Sequence, residues 1–289
     1  MKLTEEGLGG LVVPLVGAFI VPHGSMILDA KEKDISKEAM KLHDAMVKIS
    51  NTIASLGPHL IFLTSPHGIA LSRDFGIYLN AGGSGSAEWD DEYKEYKVHV
   101  KFDQKQANRM LCYLVERRDS VSGIAAFAEG VDTPLRWGEA VPLWFLRNLP
   151  ESTEYIIMSQ PMRRYYEAER MVSESLTLGG NLRSFFESLK EKVAVIISAD
   201  LGHTHSRDGP YGFSETAKVF DNVIEKWAST LDEDLLLGKA SITLRKALCC
   251  GYVGFVILQG MLEGTGFRPN VLTRSNPSYY GMMVVEYIK

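Results

Sequence analysis

Cysteine is scarce in this sequence. The 289 residues hold three, Cys112, Cys249 and Cys250, with no CxxC pair and no even framework. Adjacent cysteines such as Cys249 and Cys250 rarely bridge each other, so the usage points to a reducing, cytoplasmic compartment rather than a disulfide scaffold. A basic face is also lacking. The net charge is −5 and no run of Lys and Arg forms a polybasic patch, which argues against nucleic acid as a partner, since neutralising phosphates needs clustered cations. Long apolar runs are missing as well. The segment Leu11 to Ile20 is too short to span a bilayer, follows Glu5 and Glu6, and leads into Pro-His-Gly rather than a small-residue cleavage site. It reads as a buried strand, with no membrane partner. Finally, no low-complexity linker and no internal repeat divides the chain, so a single domain over 1–289 is expected. A chain of this length buries about 75% of its unfolded surface and needs no staple to hold a core.

What is present is an alternation of two patterns. Short apolar runs rich in β-branched residues, bounded by turn residues, occur at Leu11 to Val21, Leu60 to Thr64, Ile124 to Phe127, Tyr155 to Met158 and Val193 to Ser198. They read as interior strands, and Tyr280 to Ile288 reads as a final one. Apolar residues at Ile35, Ala39, Leu42, Met46, Ile49, Ile53 and Leu56 mark one face of a helix, with Asp34 as its N-cap. Further helices are expected at Gln104–Glu116, within Glu169–Leu189 with a break at Gly179 and Gly180, at Ser214–Leu231 and at Tyr252–Leu262. The stretch Ala81 to Asp91 is the most loop-like, and Tyr93 to Phe102 reads as an exposed strand or hairpin arm. Together these predict an α/β fold: a three-layer α/β/α sandwich around a central mixed, largely buried sheet.

Four of the seven histidines fall where a buried strand gives way to a loop. His23 stands in Val-Pro-His-Gly, His67 in Ser-Pro-His-Gly, and His203 and His205 in Leu-Gly-His-Thr-His. Ligands of open α/β sheets bind beyond the carboxyl ends of the strands, so these side chains are placed to converge on one site. Proline holds the chain extended and glycine lets it turn, presenting neutral imidazoles from rigid elements, as a metal requires. The simpler alternative for any one of them is a hydrogen-bonded loop residue. His43, on the helix, His59, before the second strand, and His99, on the exposed strand, read as structural. The HxH of His203 and His205 does not extend to the HxHxDH of a zinc hydrolase, because Arg207 and Asp208 stand where Asp and His would be needed.

The ordered set of PHGS, SPHG, the GxxVPL segment Gly138 to Leu143, SADLGH and CGYVGFVILQGML resembles the LigB-like superfamily of class III extradiol dioxygenases and the related Memo proteins. The likeness covers almost the whole chain. It implies an oxidoreductase with a non-haem Fe(II) centre, a small aromatic diol and dioxygen as reactants, His23 and His67 as metal ligands, and His203 as acid/base beside the substrate. Two positions depart from the ring-cleaving pattern. Their third ligand is a glutamate, and Cys250 stands there, as in Memo proteins; a softer thiolate brings copper or zinc into consideration and a redox or scaffold role without ring opening. Arg136 and Trp137 replace an expected Asp-His before Gly138, and either line a pocket or are a solvated arginine and a packed tryptophan. Asp200 is also implied in the site, the alternative being a residue that caps the loop amides after it. Glu139 reads as an N-cap neighbour of the following helix. Superfamily members often pair with a second subunit, which leaves a homo-oligomer open, with segment 81–102 as the place for a contact.

Overall fold

The structure, a computed structural model, describes residues 14–29, 36–88, 95–128 and 130–289. Six-residue runs such as LIFLTS and VAVIIS are apolar throughout and buried along their whole length, which is what a strand covered on both faces demands. Eleven strands result among the described residues. They are β1 (Leu15–Val21), β2 (Leu60–Ser65), β3 (Phe75–Tyr78), β4 (Gly82–Glu88), β5 (Glu95–Lys101), β6 (Val121–Ile124), β7 (Thr133–Leu135), β8 (Glu154–Ser159), β9 (Val193–Ser198), β10 (Arg268–Ser275) and β11 (Met282–Ile288). Eight form one mixed sheet in the order β10-β11-β1-β9-β2-β8-β3-β6, and three form a second in the order β5-β4-β7. The central four, β1, β9, β2 and β8, are mutually parallel, so their carboxyl ends lie side by side.

The helices are α1 (Lys37–Leu56), α2 (Gln104–Glu116), α3 (Trp137–Phe145), α4 (Arg164–Glu167), α5 (Val172–Glu187), α6 (Glu215–Thr230), α7 (Ser241–Ala247) and α8 (Tyr252–Leu262). Alternation along the central strands sends Ile20, Phe62, Val195 and Met158 to one face, against α2 and α5 to α8. Phe19, Leu63, Ile196 and Ile157 point to the other, against α1, α3 and the small sheet. The expected three-layer α/β/α sandwich is therefore observed, with the small sheet filling part of one outer layer. Because β1 leads into α1 on one face and β9 leads into α6 on the other, the loops beyond these strands diverge and open a crevice.

Several local expectations change. The helix from Lys37 is capped by Ser36, whose hydroxyl accepts from Ala39 N–H at 3.1 Å; Asp34 and Ile35 lie outside the described residues, as do Leu11 to Val13 and Trp89 to Lys94. The strand expected at Ile124 to Phe127 is β6, which ends at Ile124, and Phe127 has φ of 59° in the loop that follows. Loop-like composition at 81–91 conceals β4, which pairs antiparallel with β5 and parallel with β7. Its glycines are demanded by crowding: a Cβ on Gly85 would strike the carbonyl of Leu135. The same cause explains the unbroken α5. Gly179 and Gly260 lie where α5 and α8 cross, each against the other helix's backbone carbonyl, so helix packing selects a residue that helix propensity disfavours.

Candidate functional site

Three of the central strands, LIFLTS, EYIIMS and VAVIIS, end in serine, and all three serines are fully buried. Each fastens a neighbouring segment at this end of the sheet. Ser65 Oγ accepts from His67 N–H at 3.1 Å. Ser159 Oγ donates to Ile69 O at 2.6 Å. Ser198 Oγ donates to Gly138 O at 2.5 Å and lies 2.9 Å from His23 Nδ1. A serine carries one hydroxyl proton, and here it goes to the carbonyl. Ser198 must therefore accept from His23 Nδ1–H, which leaves a lone pair on His23 Nε2. That lone pair faces Cys250 Sγ at 3.5 Å and Asp200 Oδ2 at 3.2 Å.

The His67 ring meets the His23 ring edge-on at 4.8 Å. One donor atom each from His23, His67 and Cys250 lies within 4.8 Å of the others, a cluster that could hold a metal ion. Cys250 reaches it from a turn in which Leu248 adopts φ of 54°, an uncommon conformation for a residue with a side chain. The turn is held by Asp200 O, which accepts from Gly251 N–H at 3.2 Å and Cys249 Sγ at 3.3 Å. His203 fixes Nδ1–H on Leu201 O at 2.8 Å, so its Nε2 is the free nitrogen, and its ring stacks on Tyr280.

Burial sets the charge state. It holds His23 well below its ordinary pKa, with His67, His203 and Arg164 adding repulsion. His67 is lowered to about 3 by burial and then by Arg164, and His203 is lowered by burial. Asp200, 2% exposed, is raised to about 8 by burial against a hydrogen bond from His23 N–H. The Cys250 thiol is likewise pushed up by burial. The imidazoles are thus kept neutral, and the thiol and carboxyl keep their protons.

Asp200 does not cap the loop after it. Its Oδ1 accepts from His23 N–H at 3.1 Å, and the loop amide of Gly202 goes to Asp221 Oδ1 at 2.9 Å instead. Asp221 also holds His205 Nε2 at 2.8 Å, which takes the second histidine of the HxH out of the cluster. His43 bonds Ile27 O and His99 sits exposed near Asp132, so both are structural. Glu139 is the glutamate of a capping box at the start of α3, accepting from Arg136 N–H at 2.9 Å and from the Tyr78 hydroxyl at 2.8 Å. Tyr78 in turn accepts from Ile69 N–H at 2.7 Å, tying the His67 loop to that helix. Gly24 and Gly68 need no left-handed φ; a Cβ would strike Tyr280 and Met282 at the first and Glu139 and Tyr78 at the second.

The cluster lies between two chambers. One, of about 620 Å³, is lined by His23, His67, Asp200, His203, Arg136, Trp137 and Tyr280 among others. Of the two readings of Arg136 and Trp137, the pocket-lining one is observed: Trp137 is 41% exposed, its ring 5.1 Å from His67 and under the Arg136 guanidinium. The other chamber, of about 460 Å³, shares His67, His203 and Tyr211 and adds Arg164, Tyr165, Tyr166 and Cys250. Arg164, Tyr211, Tyr280 and Ser198 were not legible as site residues from motifs. A buried run ending in serine and then Pro161 is the signal that, by analogy with the loop of His67, could have flagged Arg164.

Comparisons with known proteins bear on the fold and the family. The E. coli K12 uncharacterized protein JW3007 superposes with a TM-score of 0.60 over 94% of this chain and 99% of its own, at 13% identity, which establishes a common fold. Protein CA_C1420 of Clostridium acetobutylicum is 25% identical over 280 residues, 94% of this chain and 56% of the relative, so the chain spans about half that relative's length. Residues 17–288 match the family described as the catalytic LigB subunit of aromatic ring-opening dioxygenase. The chain belongs to the LigB family.

Proposed function

We propose that this chain is a non-haem Fe(II)-dependent, extradiol-type dioxygenase acting on a catechol-like aromatic diol, within a single LigB-like domain over 1–289 and in the cytoplasm. His23, His67 and Cys250 would hold the metal, and His203 and Asp200 would handle protons. The observation that carries this is the convergence of the three donor atoms within 4.8 Å between two aromatic-lined cavities, in a chain whose family is one of ring-opening dioxygenases. The donor set fits a divalent metal: two neutral imidazoles, one with its lone pair fixed by Ser198, and a thiol that ionises when a cation is near. Bound there, the metal supplies the open coordination positions and electron transfer that a diol and dioxygen need in order to react.

The chain's own groups provide the rest. His203, with Nδ1 held by Leu201 O, presents a basic Nε2 to take a diol proton and return it. Asp200 keeps a proton at Oδ2 beside His23 Nε2 in the metal-free state and gives it up on loading. Trp137, Tyr211 and Tyr280 line a slot for a flat ring.

Cys250 favours a second reading. A thiolate in place of a carboxylate suits copper or zinc as well as iron, as in a Memo-like redox or scaffold protein that opens no ring. Anaerobic reconstitution should load about one Fe(II) per chain, and a His23→Ala, His67→Ala double variant should load none. Equal metal content in the two would sink the ligand assignment. Oxygen uptake over a panel of catechols separates the two readings, since uptake no greater than a metal-only control leaves the Memo-like one. Cys250→Glu should tighten Fe(II) binding, and unchanged affinity would remove Cys250 from the coordination shell.

A further inference from the structure

Beyond the cluster, the second chamber contains a charge that nothing in the proposed reaction uses. Arg164 follows the carboxyl end of β8 and is only 6% exposed. Its Nη1 donates to Gln160 O at 3.2 Å and to Pro161 O at 2.8 Å. Its Nε is buried without a partner. Tyr165 covers one face of the guanidinium at 4.0 Å. Among the described residues no carboxylate lies within ion-pair distance of Arg164, and Glu169, on the same chamber wall, is held by Arg245 at 3.1 Å. A buried cation without an anion costs several kcal/mol. The fold keeps one in a chamber that opens onto His67, His203 and Cys250.

We infer that this chamber is a carboxylate site centred on Arg164, which holds the anionic substituent of an aromatic substrate whose reacting end faces His67 and His203. The inference rests on the function proposed above for the reacting end; the anion site itself requires no metal. The planar guanidinium, held in place by its Nη1 bonds, matches the two-oxygen geometry of a carboxylate. The walls beside it, Tyr166, Leu244 and Leu248, are broad and apolar, and a volume of about 460 Å³ accommodates one substituted ring. The Cys250 thiolate does not remove the need for an anion. With neutral histidines, the Cys250 thiolate and the Asp200 carboxylate balance a divalent metal, and Arg164 stays as an uncompensated positive charge. Its field also acts on the cluster, being the largest charge effect that lowers His67.

The test uses metal-free protein, so that it stands apart from metal loading and turnover. Titration calorimetry with benzoate should show saturable one-site binding, with benzamide at least about tenfold weaker, a difference of about 1.4 kcal/mol. Arg164→Gln should lose benzoate binding by about tenfold or more, with Arg164→Lys intermediate because it keeps charge but not the planar fork. Arg117→Gln, at the end of α2 and outside the chamber, should bind as wild type does. Equal binding of benzoate and benzamide, undiminished binding by Arg164→Gln, or binding of inorganic phosphate in preference to benzoate would overturn the proposal. Should the Arg164 variants fail to fold, the side-chain Nε–H resonances of wild type decide it. Benzoate should shift that of Arg164, and a shift confined to Arg136 or Arg245 would refute the site. Loss of metal by the His23→Ala, His67→Ala variant with benzoate binding intact would overturn the metal assignment alone.

Discussion

Ser198→Ala tests the central feature of the cluster, because one hydroxyl there serves two buried groups. Its removal leaves Gly138 O without its 2.5 Å donor and His23 Nδ1–H without its 2.9 Å acceptor. Each buried group left unpaired costs about 1–3 kcal/mol, so the loss of folding stability should be about 2–6 kcal/mol, reduced to the extent that the His23 ring changes tautomer. That change matters for the metal. Freed from Ser198, and once Asp200 has released its own proton, His23 can carry its proton on Nε2 and donate to Asp200 Oδ2, 3.2 Å away, so its coordinating lone pair is lost. Loss of such a support costs metal affinity about 10–100-fold. The assay is anaerobic competition for Fe(II) against a chromophoric chelator, with urea denaturation of the metal-free protein alongside. Thr64→Val is the control for stability, since Thr64 Oγ1 is buried with no partner and removing it should cost nothing. A folded Ser198→Ala protein that binds Fe(II) as wild type does would refute the claim that Ser198 sets the His23 tautomer.

Two further outcomes are expected. Asp200 is raised from 3.8 to about 8 when folded, so between those values the folded state holds a proton that the unfolded state has released. Stability of the metal-free protein should therefore fall as pH rises, by about 1.4 kcal/mol per unit from this group. His67, lowered to about 3, acts in the opposite direction up to about pH 6.5, which places the visible decline between about pH 7 and 8. Denaturation midpoints across that range should slope downward in wild type and flatten in Asp200→Asn, and an identical slope in both would refute the assignment. Gly260→Ala forces a methyl group into the backbone of α5 at Leu176, and should destabilise by about 1–3 kcal/mol on thermal or urea unfolding. A neutral effect would show that the crossing can separate freely.

The sequence exposed those parts of the molecule whose causes are local. Apolar runs bounded by turn residues located β2, β8 and β9, and a 3.6-residue period located α2, α6 and α8 to within a residue. The histidines after Pro22 and Pro66 were visible for the same reason, as polar residues where buried strands stop. Elements governed by distant partners were not. The segment GGSGSAE looks like a loop until Leu135 and Phe102 are placed against its glycines, and β10 has an exposed, polar-rich pattern that depends on β11 for its pairing. The role of Ser198 depends on Gly138, sixty residues earlier, and that of Arg164 on the absence of a partner, which no linear pattern displays.

The order β1-β9-β2 also has a consequence for how the protein is made. The strands that present His23 and His67 are not neighbours; β9, far later in the chain, must enter between them. Adjacent strands are about 4.8 Å apart, so β1 and β2 reach their final separation only with β9 seated. A growing chain that has emerged only as far as β8 carries both histidines yet lacks the strand that sets their distance, and lacks Cys250 altogether. Long-range pairing of this kind is slow, because chain entropy must be lost before the contact is gained. A metal ion then cannot nucleate this fold. It would meet an assembled cluster, bind to the native state alone, and raise resistance to complete unfolding rather than hasten folding.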